Sequence, residues 1–457
     1  MKLFIHNIQK HILERPILFL VGIGLLVRVL IAICYSNQVS IFNDSQSYVP
    51  LAEQLGALNL DGYNGLRTPG YPFLLMLTGI NFSIVAIIQA ILGILSSVLL
   101  FKISYKLRNH TFLAFVNGLS LSFFLHILFY ERAILTESLT LCTLIVCVWY
   151  IVHIDFFNPK QKSTITHWQS LILGILMAIV FLVRPMFIVI TPLVVFCFII
   201  IYYRQLKFTL LITRMLLLAI PAVVSYQGWS ALNFQNTGYK SVTAFSGMNL
   251  AQSCVSFVDK ASDTHADLRD LYVHKRDSVI AGNGDVSMTV WRVYETLKAK
   301  ENITVSELSQ RFDPMNKELI TNNPSDYLKQ VGISWVDFWK ESILWNHNKF
   351  KLKTPKQVLT GTWLYIQTPM LYIMNVVFLM ISGLMIITRI RKKGFYFDFY
   401  FFCVVLIIGS SLGQALVIYG NNDRFSVPFL PFIILVISHY LYKKEIFKKI
   451  IPINHKN

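Results

Sequence analysis

Residues 16–35 read Pro-Ile-Leu-Phe-Leu-Val-Gly-Ile-Gly-Leu-Leu-Val-Arg-Val-Leu-Ile-Ala-Ile-Cys-Tyr, a run whose one charge is Arg28. At 1.5 Å per residue such a run spans about 30 Å as a helix, the thickness of a bilayer's hydrocarbon core. Comparable runs recur at 82–101, 112–130, 134–154, 168–183, 186–203, 209–227, 363–388, 396–418 and 425–442, of which 168–183 is the shortest. The 457 residues are 54% hydrophobic and 14% charged, whereas soluble domains carry about 25% charged residues. A water-soluble globule is excluded. The expected fold is an all-α polytopic membrane protein with about ten transmembrane helices.

The charges orient the bundle. Counting 41 Lys and Arg against 24 Asp and Glu gives a net +17, a balance that on its own would suggest a nucleic-acid partner. The connections 1–15, 102–111, 155–167, 204–214, 389–395 and 443–457 hold 20 Lys and Arg, among them Lys102, Lys106, Arg108, Arg389, Arg391, Lys392, Lys393, Lys443 and Lys444. Only Glu14, Asp155 and Glu445 oppose them. The alternate set, 36–81, 131–133, 184–185, 228–362 and 419–424, is nearly balanced, with 16 Lys and Arg against 14 Asp and Glu in its largest member. The positive-inside rule then places both termini in the cytoplasm and the two long loops outside. Anionic lipid head groups account for the basic excess, and no nucleic acid is required. The first run is too long for a cleaved leader and reads as a signal anchor. The six cysteines form no metal-spaced pair and no disulfide framework.

Three regions follow: an N-terminal transmembrane module, 1–227, with a long first outer loop at 36–81; a loop region, 228–362; and C-terminal helices with a basic tail, 363–457. Polar helical stretches around 288–301 and 305–320, with turn signals at 281–285, Asp313-Pro314 and Asn323-Pro324, make 228–362 a mainly helical extracytoplasmic subdomain. Trp335, Phe338, Trp339 and Trp345 near its end suit either the membrane interface or the loop's own core. The basic run 349–356 is placed to meet anionic acceptors or lipid phosphates.

Asp44 lies just past the first run, at the outer surface. A partly desolvated carboxylate there gains proton affinity and suits a general base; equally, it can cap a helix starting near Ser45. Glu137 and Glu131 stand at another outer turn, where a helix start also accounts for them. Arg67, Arg132, Arg184 and Arg424 fall at outer span ends. The planar guanidinium fork matches phosphate oxygens, though such arginines also snorkel to lipid. Arg28, inside a span, calls for a function or a buried partner. His126 reads as an interior histidine or a metal ligand. Tyr48, Tyr63 and Tyr71 fit a lipid carrier, a sugar ring or an ordinary interface.

Several of these pieces occur together in one order: Asp44 with Tyr48, then Arg67-Thr68-Pro69-Gly70-Tyr71-Pro72, Glu131-Arg132, Leu135-Thr136-Glu137-Ser138-Leu139, Val183-Arg184-Pro185, Trp229 with Asn233 and Gly238, 323–328, and Asp423-Arg424-Phe425 with Pro428 and Pro431. In this the chain resembles GT-C superfamily integral-membrane glycosyltransferases, in particular bacterial relatives of the dolichyl-phosphate-mannose protein mannosyltransferases and the lipid A aminoarabinose transferases. Residues 255–320 resemble nothing in that family. The resemblance implies transfer of a single hexosyl or pentosyl unit from a polyprenyl-phosphate carrier to a hydroxyl of a glycan, lipid or protein, usually with inversion. It implies Asp44 as base, Glu137 or Glu131 as a second carboxylate, and Arg67, Arg132, Arg184 and Arg424, with Tyr48 and Tyr71, around the donor and its phosphate. A bacterial inner membrane with the site facing the periplasm is the expected location. No cofactor is certain; a divalent metal is possible, with no ligand cluster in the local sequence. A lipid-linked saccharide flippase and an oligosaccharide ligase or polymerase are the competing functions, although transporters concentrate polar groups at the midplane and this chain concentrates them at one face.

Overall fold

In the computed structural model, residues 14–158, 165–391, 397–420 and 422–443 are described. Lys392, Lys393, Lys444, Glu445 and nearly all of the first inner segment, cited above for orientation, lie outside them. The chain is an all-α polytopic membrane protein. Among the described residues all ten apolar runs are largely helical, and seven helices are long and apolar enough to cross a membrane.

In chain order the helices are α1 (Pro16–Cys34), α2 (Asn43–Gln46), α3 (Val49–Gly56), α4 (Gly70–Leu77), α5 (Phe82–Arg108), α6 (Thr111–Ser120), α7 (Leu125–Tyr130), α8 (Glu137–His153), α9 (His167–Val183) and α10 (Ile190–Tyr202). Then come α11 (Phe208–Thr237), α12 (Ser246–Cys254), α13 (Ala266–Ala281), α14 (Thr289–Glu301), α15 (Val305–Asn322), α16 (Pro324–Phe338), α17 (Lys353–Arg391), α18 (Phe399–Val417) and α19 (Leu430–Lys443). Short 3₁₀ turns at Pro185–Val189 and Asn422–Phe425 lead into α10 and α19.

Three expected boundaries move. The run 112–130 is two helices, α6 and α7, separated by an unwound stretch. Backbone left open at such depth must find partners inside the protein, and here Gln367 of α17 supplies them. Its side-chain oxygen accepts from the Leu125 amide at 2.8 Å, and its Nε2 donates to the Phe123 carbonyl at 2.7 Å. Next, α11 runs ten residues past the expected end at 227. Its 30 residues span about 45 Å, more than a bilayer core, and it stops where Gly238 adopts φ +69°, a left-handed C-cap. Lastly, α17 begins at Lys353 rather than 363, with a π turn at Trp363–Gln367.

Of the stretch 228–362, the first ten residues continue α11 and the last ten begin α17, while between Ser246 and Phe338 lie further helices, among them Thr289–Glu301 and Val305–Asn322 where the polar stretches lay. Thr304 and Glu307 form the capping box that starts α15. The turn expected at Asp313-Pro314 is absent, because α15 continues through Pro314 with Leu308, Phe312, Met315 and Leu319 buried on one face. That apolar stripe outweighs a single lost backbone bond. Met248, Phe257, Tyr272, Val290 and Phe312 give these helices a hydrophobic core of their own. Trp335, Phe338, Trp339 and Trp345 do not belong to it; they pack on the core of the long helices, Phe338 against Phe429 and Trp339 against Phe378.

Candidate active site

One end of the bundle carries a cleft of about 680 Å3, floored by span ends and roofed by α12 and α14. The first loop reaches it through two short helices. Ser45 Oγ donates to the Ile134 carbonyl and accepts from the Phe42 amide, pinning α2 beside the start of α8. Asp44, on α2, makes no capping bond to its own helix. Its Oδ1 accepts from Arg67 Nη2 and its Oδ2 from Arg424 Nη2, each at 2.7 Å. Two arginines, 23 and 380 positions from Asp44 in sequence, thus share its carboxylate.

The expectation that Asp44 has a raised proton affinity is overturned. Burial does oppose its ionisation, but the Arg424 and Arg67 guanidiniums outweigh burial and hold the carboxyl well below the ordinary range. As it stands the group is a committed carboxylate.

Arg67 is itself held on several sides. Its Nε donates to Ser47 Oγ at 2.7 Å, and its guanidinium lies over the rings of Tyr48 and Phe245 at 4.5 and 5.1 Å, favourable cation–π geometry. Tyr63 brackets its backbone, donating to the Arg67 carbonyl and accepting from its amide. A second carboxylate, Glu137, begins α8 and is 1% exposed. Its Oε1 is 3.4 Å from Arg184 Nη1 and 3.5 Å from Arg424 Nε. Neither Glu137 oxygen has a hydrogen-bond partner, nor do Arg184 Nη1 and Arg424 Nε. Arg184 stacks on Phe425 at 4.2 Å. Arg67, Arg184 and Arg424, which line the cleft, thus meet Asp44 and the buried Glu137 behind it, with buried donors still unsatisfied.

Not every expected residue is there. Glu131 is fully buried and forms a bidentate pair with Arg28, at 2.8 Å from Nε and 2.6 Å from Nη2, which supplies the buried partner that Arg28 required. Arg132 points elsewhere and donates to Asn37 at 3.1 Å. Tyr71 is one layer behind the cleft, edge-on to Tyr48 and bonded to Gln89. His126 lies among Phe124 and Trp363. Among the described residues no group of three His, Cys, Asp or Glu side chains converges on one point. Sequence reasoning passed over Ser47, Phe245 and Trp291, which line the cleft but carry no pattern that would mark them.

The Arg67-Thr68-Pro69-Gly70 run has a packing reason. A Cβ on Gly70 would come within 2.6 Å of the Val183 backbone, a contact no side-chain rotation relieves. The Gly70→Ala variant is expected to separate α4 from the end of α9, moving Arg67 away from Arg184. Overpacking of this kind costs about 1–3 kcal/mol. Thermal unfolding in detergent should show that loss, with unchanged stability refuting the close approach.

No model of a known protein family matches the sequence, and no curated protein matches it. Among solved structures, the chain aligns with the Archaeoglobus fulgidus oligosaccharyltransferase in its apo form at 10% identity and a TM-score of 0.46, over 95% of this chain and 51% of that one. A second match is the archaeal oligosaccharyltransferase AglB from the same organism, in complex with an inhibitory peptide and a dolichol-phosphate: 11% identity, TM-score 0.45, 98% of this chain and 53% of that one. The chain spans about half the length of these proteins.

Proposed function

We propose that this protein is a GT-C-type membrane glycosyltransferase that moves one sugar from a polyprenyl-phosphate carrier to an acceptor hydroxyl, with inversion. The observation that carries the reading is the cluster of three guanidiniums, Arg67, Arg184 and Arg424, lining one cleft at the end of an apolar bundle. A lipid phosphate needs both halves of that arrangement: cations for its head and apolar helices for its tail. The ordered motifs that resemble the GT-C enzymes agree.

In this reading the donor phosphate takes the free donors of Arg184 and Arg424 and competes with Asp44 for Arg424 and Arg67. Asp44 then accepts the acceptor's hydroxyl proton as that oxygen attacks the anomeric carbon. The bond from that carbon to the phosphate oxygen breaks, and the electron pair leaves on the phosphate. Preformed donors aimed at such developing charge are worth about 2.7–4 kcal/mol each when removed. Glu137 keeps Arg184 and Arg424 in place. Either carboxylate already faces two arginines, which suits an anion in the cleft better than a divalent cation. The site would face the outside of a bacterial inner membrane, with both termini cytoplasmic.

The test is release of polyprenyl phosphate by the purified protein in detergent, with a panel of polyprenyl-monophosphate sugars and crude envelope as acceptor. One carrier species should be released. No release from any sugar would overturn the reading in favour of transport or of ligation from a diphosphate carrier.

A further inference from the structure

Two cavities meet on α14. The cleft of about 680 Å3 and an outer, more open cavity of about 440 Å3 share Met288, Trp291 and Glu295. Lys275, Ser278 and Arg292 complete the outer one. The two lie side by side along α14 with Trp291 lining both, in the part of the chain where the family resemblance lapses.

The ring at that junction is fixed relative to the charged cluster. Arg67, bonded to Asp44, lies over Phe245 at 5.1 Å, and Phe245 meets Trp291 edge-on at 5.7 Å. Tyr294 abuts the indole at 6.3 Å and nearly perpendicular. The start of α14 is anchored as well. Gln252 Nε2 donates to the Ser287 carbonyl at 2.9 Å, and Asp285 Oδ1 accepts from both the amide and the hydroxyl of Ser287. Gly420, at φ +107°, packs so closely on Ser287 that a Cβ would collide with its hydroxyl. Trp291 is thus a rigid platform at a set reach from Asp44.

We propose that the acceptor is itself a saccharide chain, its terminal unit at Asp44 and the units behind it running past Trp291 into the outer cavity. This rests on the transferase reading above. The chemistry of the two cavities suits such a chain. An indole face takes the C–H face of a pyranose ring, the Glu295 carboxylate accepts from hydroxyls, and Lys275 and Arg292 donate to ring and hydroxyl oxygens. Four of the outer cavity's six lining residues, Lys275, Ser278, Arg292 and Glu295, are polar and stand beside the Trp291 ring. An acceptor consisting of a single hydroxyl-bearing side chain would fill the inner cavity alone.

The experiment measures binding, without turnover, so that it can fail separately from the transferase reading. The full chain in detergent is titrated calorimetrically with malto-, manno-, cello- and chito-oligosaccharides of one to six units. At least one series should gain about tenfold in affinity between the mono- and the trisaccharide, the scale of one aromatic platform. The Trp291→Ala variant should abolish that gain, Trp291→Phe should keep part of it, and Glu295→Gln should lower affinity about threefold. No binding in any series, a length dependence unchanged in Trp291→Ala, or binding of Ser/Thr peptides instead would overturn the proposal. Carrier release without oligosaccharide binding defeats this proposal alone. Oligosaccharide binding that depends on Trp291 but comes without carrier release defeats the transferase reading and the acceptor role with it, and leaves a saccharide-binding site.

Discussion

Asp44→Asn should lower sugar transfer by about 10²–10⁴-fold, the range of a lost general base, while the protein still folds and inserts. The geometry explains why the change is severe without being disruptive. Asparagine keeps the shape but offers one oxygen where the carboxylate offered two, so Arg67 or Arg424 loses its partner. Both arginines have other holds, Arg67 on Ser47 and Tyr48 and Arg424 beside Glu137. The same geometry sets the pH dependence. In the free protein Asp44 is held well below the usual carboxylate range, so kcat/KM, which reports free-enzyme groups, should show no acid limb from Asp44 above about pH 4. Once the donor phosphate draws away the two arginines, the carboxyl loses the charges that depressed it and its pKa rises. The acid limb of kcat, which reports the complex, should therefore lie at higher pH than that of kcat/KM. Near-normal turnover by Asp44→Asn, or coincident limbs, would remove Asp44 as the base.

Breaking the Arg28–Glu131 pair should give the largest loss of stability of any single substitution considered. The two side chains are 6% and 3% exposed and bonded twice, and Arg28 also donates to the Gly24 carbonyl. Removing one partner leaves a buried charge uncompensated, a cost of about 3–5 kcal/mol. Gly93 belongs to the same arrangement, since a Cβ there would occupy the space of the Glu131 carboxylate and the Arg28 guanidinium. Glu131→Ala should therefore unfold at markedly lower temperature in detergent, and the double variant Arg28→Met, Glu131→Leu should recover much of that loss. Additive losses in the double variant would mean that the two charges do not depend on each other. A stable Glu131→Ala that cannot transfer sugar would return Glu131 to the chemistry.

The long apolar runs were legible because a membrane span needs little more than length and the absence of charge. Helices α1 and α18 lie close to where the sequence put them, and α5 starts there but runs on to Arg108. The break between α6 and α7 was not legible, because residues 121–124 are as apolar as their surroundings and the group that satisfies their backbone, Gln367, is some 240 residues away. Of the candidate site, the sequence showed that Asp44, Arg67, Glu137, Arg184 and Arg424 stand at span ends; only folding shows them within reach of one another. Charge type at a span end cannot separate Arg67, which enters the cleft, from Arg132, which turns to Asn37. Nor can it reveal that Arg28 and Glu131 neutralise each other.

The π turn at Trp363–Gln367 has a bearing on which insertions and deletions this chain can accept. A π turn holds one residue more than an α turn would. Removing one residue there would restore plain α geometry with little net rotation between the segment from Lys353 and the rest of α17, because the wider turn is what absorbs the extra residue. What would change is the wide turn that Gln367 closes, and with it the local placement of the side chain on the 123–125 backbone it serves. Divergence in chain length is thus penalised at 363–367, where an extra residue has become structural.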